Sequence, residues 1–224
     1  MRITVVLFFI AISTVLAGSV TIKSLVFPTE TSTSYVKMNP MKPMTLNAFT
    51  LCMRLATELT GEREVILFAY RTVYYDELNV WRELDGRLSF ALAGGSVIFQ
   101  VPPFSGLQSH LCITWDSSSG ASAIFMDGKK SLTKTYKQGH TIQGDGQVII
   151  GQDPDSYLGD FDAKQSFVGE MFDINMWDSV LSDRTINDLF IGKRVPRGNI
   201  FDWETMNEFA VKGQAQVVDR ELYL

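Results

Sequence analysis

The stretch "GQDPDSYLGDFDAKQS", residues 151–166, sets Asp153, Asp155, Asp160 and Asp162 within ten positions, and Lys164 is the one cation inside it. Carboxylates this crowded repel one another and raise some of their pKa values unless a cation is present. A hard divalent ion with roughly six to eight oxygen ligands relieves that repulsion, and calcium suits such a loop. Zinc does not: the histidines are His110 and His140 alone, and both cysteines, Cys52 and Cys112, are expected to be oxidised. The stretch also fails as an EF-hand, because Tyr157 stands at the fifth loop position and Gly159 arrives one residue late. A calcium loop of another design is one reading. A solvated acidic turn without metal is the other.

The elements that must position these residues belong to an exported chain. Met1 and Arg2 precede the apolar run "ITVVLFFIAISTVLA", and small residues follow at Ala17 and Gly18. That order describes a secretory signal peptide over residues 1–17, leaving residues 18–224 as a single domain. The run is too short to span a bilayer comfortably, so no transmembrane segment is expected. Two thiols in a secreted, extracellular chain most simply make one disulfide. The net charge of −5 comes with no basic run, which argues against nucleic acid as the primary electrostatic partner and against an anionic membrane surface.

Short β-rich runs recur: "TIKSLVF" from Thr21, "FTLCMRL" from Phe49, "VILFAY" from Val65, "LSFALA" from Leu88, "SVIFQV" from Ser96, "LCITW" from Leu111, "AIFMD" from Ala123 and "QVIIG" from Gln147. Gly, Pro, Asn and Asp clusters punctuate them, as in an antiparallel sandwich. One segment differs. In "LSDRTINDLFIGKR", Ser182 can cap a short helix whose inner face is Ile186, Leu189 and Phe190, ending at Gly192. It should pack across the outside of one sheet. In "HLCITWDS", alternation sends Leu111, Ile113 and Trp115 to one face and Cys112 and Thr114 to the other.

The pattern His-x-Cys-x-Thr-Trp-x-Ser, carried by His110, Cys112, Thr114, Trp115 and Ser117, resembles the signature of the short pentraxins, the family of C-reactive protein and serum amyloid P component. "AFTLCMRLATEL", "MDGKK", "VIIGQDPDSY", "QSFVGEMFDINMWDSVLS" and "NIFDWE" are similar to that family too, so the likeness spans nearly all of residues 18–224. It implies an all-β fold, a flattened two-sheet antiparallel jelly-roll sandwich of lectin-like type with one short surface helix. It also implies a Cys52–Cys112 bridge, a helix on the face away from the ligand site, and protomers closed into a cyclic homo-oligomer, a pentamer.

The resemblance further implies two calcium ions per protomer, bridged by the phosphate or carboxylate of a ligand. Residue by residue, Asp153, Asp155, Asp162 and Gln165 match ligand positions, Pro154 offers its backbone carbonyl, and Asp76 in "YRTVYYDELNVW" supplies a further carboxylate. Asp160 matches no ligand position. Where the family has Asn, this chain is two residues shorter before Trp81, and Glu77 or Asn79 fills the role. For phosphocholine the family adds an aromatic and a carboxylate; the aligned residues here are Val80 and Val97, both departures, with Tyr74 or Tyr75 as a substitute aromatic wall.

The function implied is that of a secreted, calcium-dependent pattern-recognition protein of innate immunity. It would bind phosphate-bearing or acidic ligands of phosphocholine or phosphoethanolamine type and recruit a complement component. A galactose-type calcium lectin is the alternative. A jelly-roll glycoside hydrolase is more remote: it needs a spaced carboxylate pair, and "GEMFDIN" offers Glu170 and Asp173 at the wrong spacing, with no nucleophile elbow elsewhere. His110 has no paired nucleophile and reads as a structural strand-end residue, and no enzyme is expected.

Overall fold

The computed structural model describes residues 19–59, 63–206 and 209–223; the leader expected over residues 1–17 lies outside them. Each of the eight β-rich runs coincides with a strand. In chain order the strands are β1 (Ser19–Phe27), β2 (Tyr35–Met38), β3 (Ala48–Ala56), β4 (Val65–Arg71), β5 (Asp76–Arg82) and β6 (Leu88–Leu92). Then come β7 (Gly95–Phe99), β8 (Ser109–Asp116), β9 (Ala121–Met126), β10 (Lys129–Lys130), β11 (Lys134–Thr135) and β12 (Gln147–Ile150). The acidic stretch forms β13 (Pro154–Ser156), β14 (Gly159–Phe161) and a 3-10 turn (Ala163–Gln165). β15 (Gly169–Trp177), α1 (Asp183–Phe190), β16 (Ala210–Lys212) and β17 (Gln216–Tyr223) complete the order.

Two antiparallel sheets face each other. One runs β10-β9-β8-β3-β15-β1-β17, with β11 also on β9, and the other runs β16-β2-β12-β4-β5-β6-β7. Residues alternating inward from both, among them Leu25, Phe49, Leu51, Phe68, Leu78, Val80, Phe90, Ile113, Trp115 and Val148, make one contiguous buried core. Among its aromatic rings, Phe49 meets Phe90 edge-on and Trp115 at a tilt, while Phe90 lies parallel to Phe99.

On β8 the alternation places Leu111, Ile113 and Trp115 in that core and turns Cys112 outward. Cys52 on β3 stands directly opposite Cys112 in the ladder, and the two are bonded. The outward cysteines, Ala123, Phe125 and Trp177 form the floor on which α1 lies, with Ile186 fully buried against it. Ser182 caps the helix by accepting from Thr185 N, and Gly192 beyond it takes a positive φ of 73°. Arg54, from β3, holds the other end: Nη2 donates to the Leu189 and Phe190 carbonyls at 2.9 Å each, while Nε pairs with Asp173 at 3.1 Å.

Candidate functional site

The acidic stretch folds as a hairpin of β13 and β14 on the outer face of the sheet that contains β5, away from α1. Its footing is local. Phe161 packs at a tilt on Tyr35 with ring centroids 5.0 Å apart, and both rest with Trp81 on an outer apolar patch of Ile66, Ala69 and Ile149, separate from the main core. Gln152 is fully buried and its Nε2 donates to the Ser34 carbonyl (3.1 Å) and to that of Thr31. Gly151 precedes it with φ 95°, and a Cβ there would lie 2.2 Å from the Phe27 ring. Only glycine lets the chain leave β12 at that angle so close to the core.

Asn79, Asp76 and Arg71 then meet Asp153 and Asp155 of this stretch. Asp153 is 5% exposed, and its Oδ1 accepts from Asn79 Nδ2 at 2.9 Å. Asp76, at the start of β5, pairs with Arg71 Nη1 at 2.6 Å, and Arg71 Nη2 donates to the Asp155 carbonyl at 2.7 Å. Burial pushes the Asp153 carboxyl up to about 7, with the charges of Asp76 and Asp155 adding to the rise and Arg71 and Asn79 opposing it. Pro154 is buried at the start of β13, paired with Phe161. Asp162 is exposed; its Oδ1 accepts from Lys164 N and caps the 3-10 turn that carries Gln165.

The donor set fits a hard cation. Every side chain in it that is free to coordinate offers oxygen, and Asn79 Oδ1 and Gln165 Oε1 are buried without a hydrogen-bond partner. Asn79, whose amide nitrogen donates to Asp153, thus keeps an unpaired buried oxygen next to a carboxylate whose charge is disfavoured, and a metal ion there would satisfy both. Calcium, with its tolerance of mixed carboxylate, amide and backbone oxygens, suits them; Asp76, Asn79, Asp153, Asp155, Asp162 and Gln165, with the Pro154 carbonyl, are the residues that would hold it. Among the described residues, the three acidic or metal-binding side chains whose ligand atoms all lie within 4.8 Å of one another are Cys52, His110 and Cys112, a disulfide with a neighbouring histidine that offers no thiolate.

Several expectations need correcting. Of Glu77 and Asn79, it is Asn79 that reaches the carboxylates. The ladder between β4 and β5 shifts register between Tyr70 and Arg71, so Glu77 is bulged, and a bulge re-aims its side chain. Glu77 is fully buried, with Oε1 2.9 Å from His140 Nε2 and accepting from Gln143 N at 2.8 Å. Val80 is fully buried in the core between the sheets, and Val97, paired with Phe90, packs against the same core. Neither faces the hairpin, because alternation along β5 and β7 turns their neighbours outward instead. Tyr74 stands 83% exposed on the turn joining β4 to β5. The cation brought to the cluster is Arg71 from β4, not Lys164. The sequence stretch alone could not reveal Arg71, whose signal was only its place five residues before Asp76.

The model of the Pentaxin family matches residues 23–219. C-reactive protein of Danio rerio is 52% identical over 199 residues, covering 87% of this chain and 88% of its own length. C-reactive protein of Homo sapiens is 35% identical over 193 residues, covering 86% of this chain and 85% of its own. A native heptameric SAP-like pentraxin from Limulus polyphemus superposes with a TM-score of 0.74 at 22% identity, over 87% of this chain and 94% of its own, and supports the jelly-roll fold. Two facing sheets, a disulfide rung under the outer helix and a family match over nearly all the described residues lead to one conclusion: this chain belongs to the pentaxin family, whose members are recognition proteins and not enzymes.

Proposed function

We propose that this protein is a secreted, calcium-dependent pattern-recognition protein of innate immunity that binds phosphate-bearing or acidic ligands on microbial or damaged-cell surfaces. The observation that carries the reading is the convergence of Asp76, Asn79, Asp153 and Asp155 on an outward hairpin, with the Asn79 and Gln165 oxygens buried and unpaired. Two calcium ions bound there would present positive charge to an anionic ligand from a surface that is otherwise acidic. The protein's own part is to fix the oxygens: β5 supplies Asp76 and Asn79, and the hairpin brings Asp153 and Asp155 against them.

With Val80 and Val97 turned into the core, neither supplies a wall for choline methyl groups, and Tyr74 and Tyr75 are the exposed aromatics just before Asp76. Phosphate, more than choline, is therefore the element recognised. A cyclic homo-oligomer, a pentamer in our reading, would array the sites on one face and raise avidity without new contacts. The opposite face, which carries α1, is the one we assign to a complement component.

The test is capture on immobilised phosphocholine and phosphoethanolamine at about millimolar calcium and again in excess chelator, with free ligands as competitors. Capture that needs calcium and is reversed by either phosphate ligand supports the proposal. Elution by galactose and not by the phosphate compounds would replace it with the sugar-lectin reading. Calcium-independent capture would remove the metal from it.

A further inference from the structure

Arg71 ends β4 and sends its guanidinium into the candidate calcium centre. Nη1 lies 2.6 Å from Asp76 Oδ1, and Nη2 donates to the Asp155 carbonyl at 2.7 Å. These partners come from two separate elements, β5 and the β13–β14 hairpin, and both residues are assigned above to calcium. The side chain is 14% exposed, and its Nε is buried with no partner. A surface arginine making a convenient ion pair would be solvated at its remaining nitrogens; this one is committed to the centre.

The same position is favourable or unfavourable according to what shares it. Beside Asp76, Asp153 and Asp155 alone, a guanidinium screens carboxylates that would repel one another. Beside those carboxylates holding a divalent cation, it is a like charge at short range in a partly desolvated site, where Coulombic repulsion is strong. Asp76 Oδ1 cannot give its short ion pair to Arg71 and its full charge to a metal together.

We propose that Arg71 is a resident counter-cation of the calcium centre. In the metal-free protein it holds the hairpin on β5 in place of the metal, and calcium must take Asp76 from it in order to bind. This rests on the calcium reading above. It makes Arg71 a positioning residue with two opposed effects: it keeps the empty site closed, and it weakens the affinity of that site for calcium.

The experiment compares the full-length oligomer with Arg71→Gln and Arg71→Lys. Calcium affinity is measured by titration calorimetry, and cleavage between residues 151 and 166 is followed by limited proteolysis with mass spectrometry, in chelator and in saturating calcium. Arg71→Gln should bind calcium roughly tenfold more tightly, the effect of about 1.4 kcal/mol of relieved repulsion. It should also be cleaved faster than the parent in chelator and equally slowly in calcium. Arg71→Lys keeps the charge and loses the two-pronged bridge. It should be cleaved like the Gln variant in chelator while its calcium affinity stays near that of the parent. Weaker or unchanged calcium affinity in Arg71→Gln overturns the proposal, since a purely structural tie would never tighten metal binding when removed. Absence of calcium binding by the parent protein itself overturns the metal reading, and this inference falls with it.

Discussion

Acidification should act on stability through one buried side chain, His110. Its imidazole is 2% exposed, its Nδ1 has no hydrogen-bond partner, and Nε2 lies 3.6 Å from Cys112 Sγ. Burial, with the charge of Arg54 adding to it, lowers the His110 pKa from 6.5 to about 3. The folded pKa is thus depressed below the unfolded one, so the unfolded chain takes up the proton first as pH falls. The stabilisation is whole above the unfolded value of 6.5 and is lost progressively down to about 3. At ~1.4 kcal/mol per unit, lowering the pH to about 5 costs ~2 kcal/mol. Guanidinium unfolding followed by tryptophan fluorescence, in chelator and at one protein concentration, measures this for the parent and for His110→Gln at about pH 7.5, 6 and 5. The pH dependence of the difference between the two isolates His110 from Asp153 and every other group. A difference that stays constant across that range would refute the assignment of a neutral, buried imidazole.

Three further outcomes are expected. Glu77→Gln should leave calcium affinity within about twofold, because its carboxylate faces the 140–143 loop, whereas Asn79→Leu should weaken it by roughly tenfold to a hundredfold, as calorimetry would measure. Gly151→Ala would put a methyl 2.2 Å from the Phe27 ring in a left-handed backbone, and a thermal melt should show destabilisation of about 1–3 kcal/mol. Replacing Cys52 and Cys112 together by Ala frees a loop spanning 60 positions and should cost about 4 kcal/mol in denaturant unfolding.

What could be read from the residues was what depends on local pattern. Alternation in "HLCITW" placed Trp115 in the core and Cys112 outside it, and Ser182 with Ile186 announced the helix and its buried face. The crowding of the carboxylates of residues 153–162, on which the proposed cation site rests, is itself local. What escaped depends on register and on contacts between distant segments. A single bulge decides that Asn79 and not Glu77 meets Asp153, and one step of alternation sends Val80 inward. Arg71 reaches Asp155 across 84 positions of chain, and no spacing rule announces such a meeting. The 3.6 Å approach of His110 to the disulfide shows a signature histidine serving as packing.

The hairpin's private footing bears on how such a protein diversifies. Phe161 rests with Tyr35 and Trp81 on Ile66, Ala69 and Ile149, outside the cluster that holds the two sheets together. Residues 156–159 at its tip are thus free to change in length or chemistry without opening a cavity in the sandwich. If the hairpin binds ligand as proposed above, selection for recognition and selection for folding would fall on different atoms, and ligand preference could drift between lineages over an unchanged framework. The same separation makes the tip a natural place to graft a foreign recognition loop.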